Sequence, residues 1–252
     1  MSADRFQVIT SLTHPNYRDV VRGLTRQVWP EFMLHDAVAN ELWHELLDRF
    51  PEYQLALYDT QEQRVAGMAN SFPLRWDEEL ENLPEEGWDW AFQAAVDHHR
   101  QGLKPNHHCA IQIILHPNYR SQGLSASMVK SVRAVTEAQG LKALIIPIRP
   151  SEKSQYPLQS LDDYTRWKDE RGLTFDAWLR VHVRAGARVI KVCHQSKTIR
   201  GTPAEWEQWT GLTFPQSGQY VIPGALNPIM MDIERDQGVY IEPNVWIVHE
   251  VR

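Results

Sequence analysis

The chain has 252 residues, 42% of them hydrophobic, 23% charged and 10% aromatic, and a net charge of −6. This composition excludes collagen-like, low-complexity and disordered chains, and the length is enough to bury a core without disulfides or metal. The acidic balance lacks the electrostatic footprint of a nucleic-acid binder or an anionic-membrane binder, so the expected partners are small molecules, with no nucleic acid and no membrane.

Cys109 and Cys193 stand far apart, without metal-ligand spacing. They read as buried free thiols of a reducing compartment, which makes cytoplasmic the expected location and leaves no metal site. Met1–Arg5 leads directly into an alternating run, with no basic region followed by an apolar stretch, so no signal peptide is expected. No apolar run approaches the roughly 18 residues of a spanning helix.

In chain order, Phe6 to Leu12 alternates as a short strand. Asn16 caps a predicted helix to about Val28, and a second helix runs from Ala37 to Phe50, before Pro51. Leu55–Tyr58 and Val65–Phe72 are strands around a polar turn. Residues 75–106 interrupt the pattern with seven acidic residues before Trp90 and a helical piece; the acidic run reads as a solvated face in preference to a cation-recruiting rim. Cys109–Leu115 is a nearly continuous apolar run, the mark of a strand covered on both faces. A tight loop, a helix from Leu124 to about Gln139 and a strand from Leu141 to Ile148 complete a βαβ unit. Ser160 opens a helix to about Glu170, Thr174 caps another over Phe175–Ala185, and Arg188–Cys193 is a strand. Residues 200–244 form a second insertion, opened by the capping sequence Thr202-Pro203-Ala204-Glu205, before a final strand from Val245 to Val251.

The chemistry concentrates in the loop after the central strand. Small residues at Ser121, Gly123 and Ser125 allow close approach of a ligand, and the first turn of the following helix offers unpaired N–H groups and a positive dipole end. Together they make an anion cradle suited to a phosphate or pyrophosphate. Neither the dinucleotide spacing of glycines nor a P-loop is present.

The run Ile114-Leu115-His116-Pro117-Asn118-Tyr119-Arg120-Ser121-Gln122-Gly123-Leu124-Ser125 resembles the acyl-CoA signature of the GNAT superfamily of acetyltransferases. Pro117, Arg120 and Gly123 fall on its fixed places, and Ser125 takes the last small-residue place. The resemblance implies an α/β fold of GNAT type, a mixed and mostly antiparallel sheet flanked by helices, in a single domain with insertions at about 75–106 and 200–244. It implies an acetyl-CoA (or other acyl-CoA) cosubstrate. Arg120, Ser121, Gln122, Gly123, Leu124 and Ser125 would hold the pyrophosphate, with Ile113 and Leu115 along the pantetheine arm. It also implies direct attack of a small-molecule amine on the thioester, in a site that stabilises the oxyanion and protonates the thiolate.

The family's usual tyrosine acid is replaced at the matching place by His182, a candidate acid that also falls on an apolar helical stripe. Ser154 and Tyr156, after the fifth strand, are further candidates for positioning substrate or protonating sulfur. Gln112 cannot serve as base. His107, His108 and His116 could act through water but read more readily as structural. Trp76, Trp88, Trp90, Trp206 and Trp209 suggest an aromatic wall for an apolar or cationic ligand, or core packing. A CoA-binding module without turnover, a longer acyl group and a thiol acceptor stay open at this level, as does a homodimer.

Overall fold

The computed structural model describes residues 5–251; Met1–Asp4, part of the leading stretch in which no signal peptide was expected, lie outside them. The sheet is built from β1 (Phe6–Thr10), β2 (Gln54–Asp59), β3 (Arg64–Leu74), β4 (His107–Leu115), β5 (Ala143–Ile148), β6 (Arg188–Gly201), β7 (Gly218–Tyr220), β8 (Ile229–Asp232) and β9 (Gln237–Glu250). Its order is β1-β2-β3-β4-β5-β9-β8-β7, with β6 paired to β9. Among these pairings β4 with β5 is parallel and the others are antiparallel.

The helices are α1 (Tyr17–Val21), α2 (Leu24–Val28), α3 (Ala37–Leu42), α4 (Glu45–Arg49), α5 (Gly87–Arg100), α6 (Leu124–Ala138), α7 (Leu161–Arg166), α8 (Ala177–Arg184) and α9 (Pro203–Thr210). Two expected long helices are divided. Gly23, at φ +79°, breaks the first into α1 and α2, and a turn at Trp43–His44 separates α3 from α4. α8 is capped by Asp176, whose carboxylate accepts from the N–H groups of Trp178 and Leu179, rather than by Thr174. The Thr202–Glu205 capping box forms as expected.

Two apolar layers cover the sheet. One packs Leu42, Trp88, Phe92 and Ile111 together, bringing α3 and α5 against the sheet; the other packs Leu124, Met128, Val132 and Leu179, bringing in α6 and α8. A smaller cluster joins Phe32 and Met33 to Trp206, Phe214, Ile229 and Tyr240, seating the second insertion on the segment before α3.

Two features of the sheet create the site. β4 and β5 pair only at His108–Leu144 and Cys109–Ile145, then part. Pro147, which has no N–H for a ladder, stands just past the last paired residue. β6 and β9 are each 14 residues long, well beyond the segments expected as strands. Between Cys193–Asn244 and Lys197–Glu242 their register slips, so β6 carries a wide bulge at residues 194–196. Gly87 opens α5 directly over this bulge, where a Cβ would overlap Ser196 Oγ and lie 2.7 Å from Cys193 Sγ.

Candidate active site

Where β4 and β5 part, a cavity of about 780 Å³ opens. Its wall includes Ile113, Leu115, Arg120 and Ser125 on the side of α6, and Trp43, Trp88, Lys197, Glu242 and Asn244 on the side of α3, α5 and the β6 bulge. These residues belong to the layers on opposite faces of the sheet, so the gap between the strands joins the two faces.

On the α6 side a strand edge and a helix start are left open. β4 stays paired to β3 as far as Leu115, but its other edge has no ladder partner beyond Cys109, which leaves backbone N–H and C=O groups facing the gap. Gly123, at φ +76°, is the N-cap of α6, whose first turn has no side chain capping it and no acidic residue in it. Around Gly123 the space is open, with no atom within 4 Å of where a Cβ would sit. Ser121, also at positive φ (60°), Gln122 and Gly123 are exposed, Ser125 is half-buried and Leu124 is buried in the core beneath them.

The turn ahead of this loop is pinned. The Tyr119 hydroxyl donates to Asp59 Oδ2 at 2.9 Å, and Asp59 also receives Arg5 at 2.7 Å and the N–H groups of Gln61 and Glu62. The Arg5 guanidinium holds the Asp59 carboxyl well below the usual carboxylate range. His116 Nδ1 accepts from the Asn118 N–H at 3.2 Å and so is engaged in shaping the turn.

The opposite end is polar, charged and walled by tryptophan. Arg149, just past β5, donates through Nε to Glu242 Oε2 at 2.9 Å and lies over the Trp29 ring at 5.5 Å. The Tyr240 hydroxyl donates to the same carboxylate at 2.9 Å, and Asn244 donates to its other oxygen at 3.3 Å. Ser196 donates to Asn244 Oδ1 at 2.6 Å and accepts from the Trp88 N–H, tying the bulge to α5. Lys197 lies 3.1 Å above the Trp88 ring. Gln112 is spent in a chain of bonds: it accepts from Trp29 Nε1 at 2.8 Å and donates to Asn70, which donates to Gln54.

The structure moves the expected acid candidates away from this cavity. His182 has no exposed surface; its Nδ1 sits 2.9 Å from His249 Nε2, its ring packs against Trp178, and burial holds its pKa well below the ordinary value. The apolar-stripe reading of this residue is the one the packing supports, since a group shut in the core cannot reach a thiolate. Tyr156 packs among Tyr164, Trp167 and Phe175, and Ser154 lies in the neighbouring 3-10 turn; neither lines the cavity, whereas Ser151, Ala177, Trp178 and Val181 do. His107 and His108 are also off the cavity, bonded to Asn106 and Thr136. Of the five tryptophans weighed as a wall or as core packing only Trp88 lines the cavity; Trp29, Trp43 and Trp178 complete it. Trp76 and Trp90 pack edge to face, half-buried against the core, and Trp206 and Trp209 seat the second insertion.

No family model matches the sequence. The arginine N-acetyltransferase avaD of Aspergillus versicolor is 30% identical over 250 residues, covering 89% of this chain and 86% of that protein. The chain belongs to the GNAT superfamily of acetyltransferases. It is an N-acetyltransferase, which transfers an acyl group from an acyl-CoA to an amine, and this sets aside the reading as a CoA-binding module without turnover. The fold agrees. The loading GNATL domain of CurA from Lyngbya majuscula superposes with a TM-score of 0.64 at 15% identity over 98% of both chains. The GphF GNAT-like decarboxylase, solved with isobutyryl-CoA, does so with 0.56 at 13% identity over 98% of this chain and 100% of that one. Among the described residues no group of three or more His, Cys, Asp or Glu is placed to hold a metal ion, and no helix is long and apolar enough to cross a membrane.

Proposed function

We propose that the chain acts as one domain that transfers the acetyl group of acetyl-CoA to a small amine carrying a positive charge, of the kind arginine represents. One observation carries this reading: a single cavity passes between the parted strands, with an uncapped helix start and an unpaired strand edge on one face and a charged tryptophan-lined chamber on the other. The amides of Gln122–Ser125, with Arg120 and Ser121, would bind the pyrophosphate. Ile113 and Leu115 would run along the pantetheine arm, where the free β4 edge has donors to polarise the thioester carbonyl. The amine nitrogen, deprotonated, enters from the tryptophan side; its N–C bond forms as the C–S bond breaks, and its proton leaves through water to solvent or to the departing thiolate. Avoiding a dedicated histidine base is chemically reasonable, because holding both reactants in line removes much of the barrier by itself. The two unpaired, buried cysteines fit a reducing compartment such as the cytoplasm.

The experiment is incubation with acetyl-CoA and a panel of amines, following release of free thiol and the mass of the acceptor. Thiol release with a gain of one acetyl group on arginine or a related cationic amine is expected. Thiol release only with neutral or anionic acceptors would overturn the acceptor class.

A further inference from the structure

The acceptor end holds two ionic groups of different balance. Arg149 and Glu242 are one cation and one anion, and the carboxylate is fully bonded. Beside them, Lys197 Nζ lies 3.2 Å from Asp36 Oδ2 and 3.6 Å from Asp89 Oδ1, with side-chain exposures of 7%, 0% and 15%. That is one ammonium for two carboxylates. The remaining oxygens are used locally: Asp36 caps α3 through the Ala39 N–H, and Asp89 accepts from the Thr198 N–H. The two oxygens that face Lys197 accept from no N–H or hydroxyl donor, and the Asp36 and Asp89 carboxyls stand within reach of each other, so that a proton taken up here is shared between them. A buried negative charge left over in this way is costly unless something positive arrives or a proton is taken up.

The sign of the field that this cluster sends into the cavity depends on Asp89. The nearest oxygen of each carboxylate stands no more than 3.6 Å from the ammonium, and of the three residues Lys197 lines the cavity while Asp36 and Asp89 do not. By Coulomb's law two anions outweigh one nearer cation once they stand less than about twice as far away, so a cation beyond about 3.6 Å from Lys197 Nζ is attracted. With Asp89 protonated, the nearer ammonium faces a single more distant anion, and the same cation is repelled.

We propose that Asp89, acting through Lys197 and Asp36, is a positioning residue that makes the acceptor chamber select substrates with a second, remote positive charge, and that its ionised form is the binding form. This rests on the amine-acceptor reading above. The charged groups that face Asp89 are Asp36, from the turn before α3, and Lys197, from β6; Arg149 and Glu242 are the other charges at this end. Desolvation, followed by the charge of Asp36, raises Asp89 to about 7, against the pull of Lys197. Binding of a cation lowers it in turn, since linkage is reciprocal.

The test compares arginine amide with norleucine amide, which share the reacting α-amine and differ in the guanidinium. In the wild-type enzyme the ratio of their kcat/KM values falls as pH drops through about 7, while the KM for acetyl-CoA holds steady. Asp89→Asn keeps an oxygen for the Thr198 N–H, lowers the ratio by roughly ten- to a hundredfold and removes its pH dependence; Asp89→Glu restores both in part. A ratio independent of pH in the wild type overturns the proposal without needing any variant, as does an Asp89→Asn enzyme with an unchanged ratio. Failure of the wild type to acetylate either amide would instead strike the acceptor reading itself, so the two failures are distinguishable.

Discussion

The two ends of the cavity are built in opposite ways. The end next to α6 comes from one contiguous stretch, residues 113–125, in which strand, turn and helix start follow one another. The tryptophan-lined end, proposed above as the acceptor side, draws Trp29, Asp36, Trp88, Arg149, Lys197 and Glu242 from six separate places in the chain and holds them by a bulge, a cap and two ionic clusters. A site made of local backbone geometry can be altered without disturbing the core. A site made of buried charges from many elements is part of the core, so binding and stability change together there.

The largest effect should come from histidines buried away from both ends. Burial lowers the pKa of His108 to about 3 and of His249 to about 4, and holds His182 well down. Each stays neutral in the fold and takes up a proton near pH 6.5 when unfolded. Their contribution is therefore full above about pH 6.5 and is lost as pH falls toward the folded values, at up to about 1.4 kcal/mol per unit for each. Thermal unfolding between pH 7 and 4.5 should show a steep fall in Tm; a flat profile would show that these histidines are already protonated in the fold.

Glu242→Gln strips the counter-charge from the half-buried Arg149 and should cost about 1–3 kcal/mol of stability along with acceptor affinity; denaturant unfolding and acceptor KM measure the two together. Gly123→Glu tests the contrast from the other end. A residue with a Cβ at φ +76° and a carboxylate beside the cradle should raise the KM for acetyl-CoA about a hundredfold, while stability falls by only about 1 kcal/mol. Tyr119→Phe removes one bond to the buried Asp59 and should cost about 1–2 kcal/mol, with a several-fold rise in acetyl-CoA KM and unchanged kcat; a change in kcat alone would show that the pin serves the chemistry instead of the loop. The smallest effect should be that of His182→Phe, in which the folded fraction keeps its specific activity. Loss of turnover with intact acetyl-CoA affinity would return His182 to the role of acid.

Much of the framework was legible. The βαβ unit and the loop signature depend on periodicities and turn residues that act within a dozen positions, and the Pro117–Ser125 signature pointed to the superfamily to which the chain belongs. The acceptor end was not legible for an identifiable reason. Lys197 follows a bulge that breaks the alternation of β6, and Glu242 precedes Pro243 in a half-strand read as insertion. His182 misled because a place in a motif says nothing of which way the helix turns its face; packing against Trp178 and His249 decided that. Gly87, Ser196 and Asn244 carried a faint signal at most, since each matters only through the others.

What the order of residues determined by itself was local: where strands and helices start, where the backbone can turn through positive φ, and where amides are left free to meet an anion. Tertiary structure alone decided the charge balance of the acceptor chamber. The energy of one ammonium between two carboxylates depends on distances of a few ångströms and on the exclusion of water, and neither exists until β6, β9, α5 and the Asp36 turn are packed together.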